Sequence, residues 1–239
     1  MQSLHFQELK YRIIYTIISL TLLTTVLYNF KTELIYILNG HENNINEYFI
    51  YTKLSEVFVT YIQLSFFLSF YITSAVLIIQ LLVFLTPGLY EYEYKILKNL
   101  SIVIIGNSIL TMLFLYFIII PITWKFFSGF QTNSQENLYG IYLETKFSEY
   151  INLIITIFLT TYIIIQTFGI ILYLAFINVI KLQSLINSRK FVYIAIIITG
   201  AIVTPPDVIS QLIVALPLIL LYEVFLFIFL FMKVYFFKN

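Results

Sequence analysis

Six long apolar runs, almost free of charged residues, constrain this chain more than any other feature of its sequence. A helix that crosses the hydrocarbon core of a bilayer needs ~20 apolar residues at ~1.5 Å each, so each run predicts a span. The predicted spans are about 13–30, 58–85, 100–121, 151–180, 191–204 and 208–232. We therefore predict an all-α integral membrane protein with six transmembrane helices in a single membrane domain, residues 1–239.

The composition agrees with this prediction and argues against several other classes of protein. Hydrophobic residues make up 61% of the 239 residues and charged residues only 10%, against roughly a quarter charged in soluble domains. A net charge of +1 gives no polybasic surface for nucleic acid. Cysteine is absent, and His5 and His41 are far apart, so we expect no disulfide, metal or haem site. The sequence contains no phosphate-binding glycine loop and no Ser–His–Asp pattern, so we expect neither an enzyme nor a cofactor.

The distribution of lysine and arginine predicts the orientation of the chain, because cytoplasmic loops carry the excess of positive charge. Nine of the 13 basic residues lie at the two termini and in the second and fourth loops. We therefore expect both termini on the cytoplasmic or matrix side. The other four lie on the opposite side, which includes a polar loop predicted from Lys31 to Glu56; they are Lys31, Lys53, Lys125 and Lys146.

The end of the chain combines helix-breaking residues with two carboxylates. Pro205, Pro206 and Asp207 separate the last two apolar runs, and we predict short fifth and sixth helices joined at this turn. Asp207 is expected to be the N-cap of the sixth helix. Glu223 lies inside the last run, where a carboxylate is costly unless it is neutral or paired.

Three segments carry motifs that can be compared with known proteins. They read HFQELKYR at residues 5–12, FLTPGLYEYE at 84–93, and TPPD, SQ, ALPL and LYE in order between 204 and 223. Together these motifs resemble the TatC family, the multi-span receptor of the twin-arginine, Sec-independent protein translocase, in its mitochondrial form. The resemblance extends from His5 to Glu223 and implies a curved scaffold of six helices.

The resemblance implies that signal peptides of folded precursor proteins bind near the first two motifs. Two arginines in a signal peptide require carboxylates that accept bidentate hydrogen bonds, and lysine cannot reproduce that planar fork. Lys10 and Tyr94 depart from the family, which has arginine at the first position and commonly a basic residue at the second. The residues expected to bind the signal peptide are Glu8, Glu93, Lys10, Arg12, Phe84 and Tyr90.

The resemblance also implies partners and a location. Gln166 lies at mid-depth of the fourth span, where an amide can form a hydrogen bond across helices worth ~1 kcal/mol. Contact with single-span TatA- or TatB-like proteins is expected at Gln166, Gln211 and Pro217. The protein is expected to form a homo-oligomer within a translocase driven by the proton-motive force. The heavy use of Ile, Phe, Tyr, Asn and Lys suits an organelle gene, so we expect the mitochondrial inner membrane; a plastid thylakoid or bacterial plasma membrane is the alternative.

Each of these assignments has a plainer structural alternative. Glu8, Lys10 and Arg12 could simply anchor the first helix, Glu93 could cap the third, and Gln166 could bond within the chain. For the whole protein, the alternatives are a secondary transporter or a structural subunit of a respiratory membrane complex. A transporter should show inverted repeats with broken helices in both halves, and a redox subunit should show histidine pairs. The sequence shows neither.

Overall fold

The computed structural model describes residues 2–39, 49–129, 146–204 and 208–237, which are almost entirely helical. A short 3₁₀ turn, Thr86–Gly88, follows the third helix, and a π-helical segment, Leu115–Ile119, joins the fourth to the fifth. The helices in this part of the chain are α1 (Gln2–Asn29), α2 (Lys31–Asn39), α3 (Glu56–Leu85), α4 (Glu91–Phe114), α5 (Ile120–Ser128), α6 (Phe147–Phe176), α7 (Leu182–Asn187), α8 (Arg189–Val203) and α9 (Val208–Phe237).

Five helical segments among the described residues are long and apolar enough to cross a membrane. They are His5–Asn29, Glu56–Gly88, Glu91–Ser128, Phe147–Phe176 and Gln211–Phe231. The prediction of an all-α membrane protein is therefore confirmed. Helix α8 has only 15 residues, or ~22 Å, so the count of six spans and the orientation of the termini stay predictions.

The structure differs from the predicted polar loop after the first span, because residues 31–39 form helix α2. Leu34, Ile35 and Leu38 recur at helical spacing, and these three apolar side chains are less exposed than Tyr36 and Ile37 of the same helix. Glu33 lies in the first turn, where the helix dipole favours a negative charge. A narrow apolar face is therefore enough to fold this segment.

The expectation of two short final helices is right for α8 and wrong for α9. Helix α9 has 30 residues and continues through Pro217. Proline removes one backbone hydrogen bond and usually breaks a helix, but a helix in an apolar setting has few alternatives for its other backbone groups. The apolar sequence on both sides of Pro217 therefore keeps the helix continuous.

The chain divides into two compact units, and the first comprises Met1–Ile105 with Lys146–Ile151. Within it α1 packs along α3. The buried residues of α3 include Thr60, Ser65, Ser69 and Thr73. Small side chains allow two helix backbones to approach closely in membranes, so this composition suits a helix–helix contact.

Hydrogen bonds tie the start of α3 to the start of α6 within the first unit. The Glu56 carboxylate accepts hydrogen bonds from the Ser148 hydroxyl and from the backbone N–H groups of Thr52 and Lys53. The Phe147 N–H donates to the Ile50 carbonyl at 3.0 Å. Chain segments that are almost a hundred positions apart are thereby joined at one end of the unit.

The second unit comprises Gly106–Thr145 with Asn152–Asn239. Helices α8 and α9 pack against each other as a hairpin, and α5 and the π-helical segment pack on α9. The π-helical segment directly precedes α5, whose first turn contains Pro121. A proline clashes with the carbonyl one turn earlier, and a wider turn relieves that clash.

Candidate functional site

Glu8 and Arg12 form the centre of a polar network on the first turns of α1. The Arg12 side chain donates two hydrogen bonds to Oε1 of Glu8, from Nε at 3.1 Å and from Nη2 at 2.7 Å. The pair is spaced i, i+4, which places both side chains on one helix face. The side chains are 24% (Arg12) and 39% (Glu8) exposed, so water reaches this pair.

Gln80 connects this pair to α3. Its Oε1 accepts a hydrogen bond from Nη1 of Arg12 at 2.8 Å. The guanidinium is thus held from two sides, by a carboxylate on its own helix and by an amide on the neighbouring one. An open cleft of about 570 Å³ lies over the network and is lined by Gln7, Glu8, Tyr11, Arg12, Tyr15 and Gln80.

Lys10 lies on the same turn as this pair but outside the network. Its side chain is exposed, and no ion pair joins it to an acid in the described part of the chain. Lys10 therefore supplies positive charge near the cleft without occupying the Glu8 carboxylate.

Glu93 lies in the first turn of α4 and binds backbone at the helix start. Its Oε2 accepts the Tyr90 N–H at 3.0 Å, and its Oε1 accepts the Tyr92 hydroxyl at 3.2 Å. The backbone bond is the carboxylate half of a capping box, in which a third-position acid reaches back to the N-cap residue. Glu93 therefore caps α4, the helix of the third predicted span, which is the plainer role considered for it above.

Two tyrosines lie beside Glu93. The rings of Tyr90 and Tyr92 stack at 6.0 Å with an interplanar angle of 7°, and both side chains are largely exposed. Phe84 is half-buried near the end of α3, just before the 3₁₀ turn that leads to α4. No hydrogen bond or ion pair joins Glu93 to Glu8 in the part of the chain that the structure describes, although both belong to the first unit.

Gln166 lies on α6 in the second unit and is buried. Its Nε2 donates to the Ser108 hydroxyl of α4 at 3.0 Å. On the same helix, Gly169 faces Asn107, whose amide occupies the position where a Cβ of residue 169 would lie. Gln166 therefore forms a hydrogen bond within the chain, which is the alternative to a partner contact considered above.

Gln211 and Pro217 lie on α9. Gln211 donates from Nε2 to the Ile197 carbonyl of α8 at 2.8 Å, and its backbone carbonyl lies near Gly200. Pro217 is half-buried inside the helix. Both positions therefore belong to the α8–α9 hairpin, and part of the Gln211 amide is used to hold it together.

Glu223 is paired. Its carboxylate accepts a hydrogen bond from the Tyr193 hydroxyl and lies 3.7 Å from Nη1 of Arg189. Because α8 and α9 form an antiparallel hairpin, Glu223 lies at the level of the first turns of α8. The Tyr222 ring packs against Phe168 at 4.8 Å between centroids. Glu223 therefore has both a hydrogen-bond donor and a cation beside it.

Three predicted residues, Pro205, Pro206 and Asp207, lie outside the described residues. Just before them, Thr204 is extended (φ −93°, ψ 158°). Its N–H and hydroxyl both bond to the Gly200 carbonyl at 3.0 Å. One of the last backbone carbonyls of α8, that of Gly200, therefore has hydrogen-bond donors at the helix end.

Sequence reasoning did not select Gln80, Tyr193 or Arg189 as functional residues. Gln80 is a polar residue inside an apolar helix, which is a signal that could have been used. Arg189 and Tyr193 become recognisable as partners of Glu223 only when the hairpin register is known. Among the described residues, no group of three or more His, Cys, Asp or Glu side chains could hold a metal ion.

Comparisons with known proteins agree with one another. A family model described as "TatC: Sec-independent protein translocase protein (TatC)" matches residues 4–217. An uncharacterized tatC-like protein, ymf16, from Reclinomonas americana is 35% identical over 223 residues, covering 93% of this chain and 85% of that protein. The Sec-independent protein translocase protein TatC of Rickettsia prowazekii is 35% identical over 177 residues, covering 73% and 68%.

Solved structures give the same similarity at the level of the fold. A crystal structure of the twin-arginine translocase receptor TatC superposes with a TM-score of 0.72 at 28% identity, covering 94% of this chain and 97% of that one. A second crystal structure of this receptor, in DDM, gives a TM-score of 0.71 at 27% identity. The helical arrangement found here is thus similar to that of a known translocase receptor.

Proposed function

Because this chain belongs to the TatC family and is a multi-pass subunit of a Sec-independent protein translocase, we propose that it is the receptor for twin-arginine signal peptides. In this proposal the peptide carries a folded precursor protein to the cleft at Glu8. The similarity to tatC-like and bacterial TatC proteins supports a mitochondrial or bacterial membrane, and the mitochondrial inner membrane is our choice.

The observation that carries this proposal is that the Glu8 carboxylate binds a guanidinium of its own chain, that of Arg12. Arg12 occupies Oε1 with two hydrogen bonds, while no donor among the described residues bonds to Oε2. A carboxylate that holds one guanidinium in an open cleft has the geometry to receive another. A signal-peptide arginine can bind at Oε2, or can displace Arg12 and use both oxygens as a fork.

Glu93 is the proposed second carboxylate. It is fixed at the N-terminus of α4 by the Tyr90 N–H, so it loses little side-chain freedom on binding. The exposed, stacked rings of Tyr90 and Tyr92 offer aromatic faces beside it, and arginine stacks well on such faces. Two acids on two different helices would then match two arginines, with Lys10, Arg12, Phe84 and Tyr90 completing the site.

A separate surface is proposed for TatA- or TatB-like single-span partners. Gln166, Gln211 and Pro217 all belong to the second unit. The Gln211 amide uses one donor on Ile197, and no donor in the described chain reaches its side-chain oxygen. An acceptor on a membrane helix suits a polar side chain of a partner helix. The short helix α8, the residues Pro205, Pro206 and Asp207 that follow it in the sequence, and homo-oligomerisation are proposed to support passage of the cargo, driven by the proton-motive force.

The test is photo-crosslinking to a signal peptide from position 94, which is exposed and leaves Glu93 intact. Peptides with two arginines and with two lysines are compared. Glu8→Gln and Glu93→Gln should each weaken arginine-dependent binding about 10- to 100-fold, since a hydrogen bond to a charged group is worth ~1.5–3 kcal/mol.

Glu91→Gln is the matched control, because Glu91 lies in the same turn, is exposed and has no hydrogen bond in the described chain. Loss with Glu91→Gln equal to that with Glu93→Gln would reduce the site to diffuse negative charge. Equal crosslinking of both wild-type peptides would contradict recognition of the arginine fork.

A further inference from the structure

A second cleft opens in the first unit between α1 and α3, at the opposite end of α1 from Glu8. Its volume is about 410 Å³, and Thr24, Thr25, Tyr28, Asn29, Ile62, Ser65 and Phe66 line it. This volume falls in the range of ~300–1,000 Å³ that is usual for small-molecule sites. The signal-peptide site does not use any of these residues.

The threonine and serine hydroxyl groups in this cleft already donate hydrogen bonds to their own helices. Thr24 and Thr25 each donate to a carbonyl of α1 at 2.8 Å, to Thr21 and to Leu22. Ser65 donates to the Tyr61 carbonyl at 2.6 Å. Away from Tyr28 and Asn29, the cleft wall therefore presents mainly methyl groups, methylene groups and rings, which is a surface suited to a hydrocarbon chain.

A lysine ammonium group lies next to one residue of the cleft wall. Nζ of Lys31 lies 4.7 Å from the ring centroid of Tyr28, a cleft residue, and 5.1 Å from that of Tyr61. In the described chain no carboxylate forms an ion pair with Lys31; Glu33 instead accepts from Thr32. Two aromatic faces hold this ammonium group in place while leaving its charge uncompensated.

We propose that this cleft binds one anionic phospholipid, with an acyl chain between α1 and α3 and the phosphate at Lys31. The charge complementarity selects the occupant, because an unpaired lysine beside an apolar groove matches a headgroup joined to a hydrocarbon tail. Lys31 comes two residues after the candidate span His5–Asn29, and a lysine just beyond the end of a span can extend its ammonium group to the lipid headgroups. The Asn29 side chain, exposed at the cleft, offers a further donor to the phosphate.

Native mass spectrometry of the delipidated full-length protein tests the proposal. The protein is titrated with phosphatidylglycerol and, separately, with phosphatidylcholine of the same acyl chains. Lys31→Gln should weaken binding of phosphatidylglycerol about fivefold, since an exposed ion pair is worth up to ~1 kcal/mol. It should weaken binding of phosphatidylcholine less, because the choline group offsets the phosphate charge. Lys53→Gln is the matched control: Lys53 is an exposed lysine of the same unit and should have no effect.

Two variants test whether an acyl chain occupies the cleft. Thr25→Phe adds a ring to the cleft from an exposed position and should lower the retention of both lipids. Thr21→Phe adds the same ring one turn earlier on α1, outside the cleft, and should lower neither. Thermal unfolding of both variants checks that each remains folded.

Three results would overturn the proposal. One is an equal loss with Lys31→Gln and Lys53→Gln, which would mean diffuse charge attraction. Another is unchanged lipid retention in Thr25→Phe. The third is a photo-crosslinker at Ile62 that yields adducts with a single-span polypeptide rather than with lipid in native membranes, which would make the cleft a helix-docking site.

Discussion

The side-chain amide of Asn107 on α4 lies against Gly169 on α6, in the space that a Cβ on residue 169 would occupy. Asn107 is buried, and its Nδ2 has no hydrogen-bond partner among the described residues. The contact therefore depends on the absence of a side chain at residue 169 and leaves Asn107 little room to move.

Gly169→Ala should destabilise the protein by on the order of 1–3 kcal/mol, because overpacking forces neighbouring groups to shift. Gly106→Ala is the control: Gly106 is on α4 next to Asn107, and an added Cβ there meets nothing within 4 Å. Alanine favours a helix over glycine by ~1 kcal/mol, so Gly106→Ala should be neutral or stabilising. Thermal unfolding in detergent measures both, and equal stability of the two variants would contradict the predicted clash.

Variants of Glu93 should separate its two roles. Glutamine can still accept the Tyr90 N–H as part of a capping box, so Glu93→Gln should lose signal-peptide binding and keep stability. Glu93→Ala should lose binding and also ~0.3–1.5 kcal/mol of stability. The measurements are peptide affinity and thermal unfolding of the same preparations. Retained binding in Glu93→Gln would mean that the negative charge of this residue is not needed.

Gln80→Ala should loosen the Arg12–Glu8 pair, because the guanidinium then loses its acceptor on α3. We expect weaker arginine-dependent peptide binding if the peptide arginine binds at Oε2 beside Arg12, and stronger binding if it displaces Arg12. Either way the protein should lose ~1 kcal/mol of stability. Gln7→Ala is the control, since Gln7 lines the same cleft but has no hydrogen bond in the described chain. Equal peptide affinity in the two variants would mean that Gln80 has no part in holding the site.

Tyr193 and Glu223 should be energetically coupled across the α8–α9 hairpin. A double-mutant cycle of Tyr193→Phe and Glu223→Gln should give an interaction free energy of ~0.5–3 kcal/mol in thermal or chemical unfolding. Glu149→Gln is the reference, because Glu149 pairs with Lys146 at 3.5 Å on an exposed surface, where such pairs contribute ~0–1 kcal/mol. Additive single variants would show that the hairpin does not depend on this bond.

The sequence predicts what depends on local pattern. Apolar runs such as 58–85 identify helices because a membrane leaves few other ways to satisfy the backbone. The Glu8–Arg12 pair is also readable, since residues four apart share a helix face. The family motifs also indicate which carboxylates are candidates for signal-peptide binding, Glu93 among them.

The sequence does not predict what depends on tertiary register. Gln80 is 68 positions from Arg12, and Tyr193 is 30 positions from Glu223, so neither bond can be read from spacing. The end of α6 is set by Asn178, which adopts a left-handed conformation (φ 61°). This residue stops the helix although apolar residues continue beyond it. Hydropathy alone does not detect such a terminator.

The π-helical segment Leu115–Ile119 changes the direction in which the side chains after it point around the helix axis. Five buried residues are spaced strictly by four: Asn107, Thr111, Leu115, Ile119 and Thr123. In a regular α-helix each step of four overshoots a full turn by about 40°, so four steps would carry the last residue roughly 160° away from the first. A wider turn takes up part of that rotation. Removing one residue from the segment should therefore rotate all of α5 by about 100° and carry Thr123 out of the buried row.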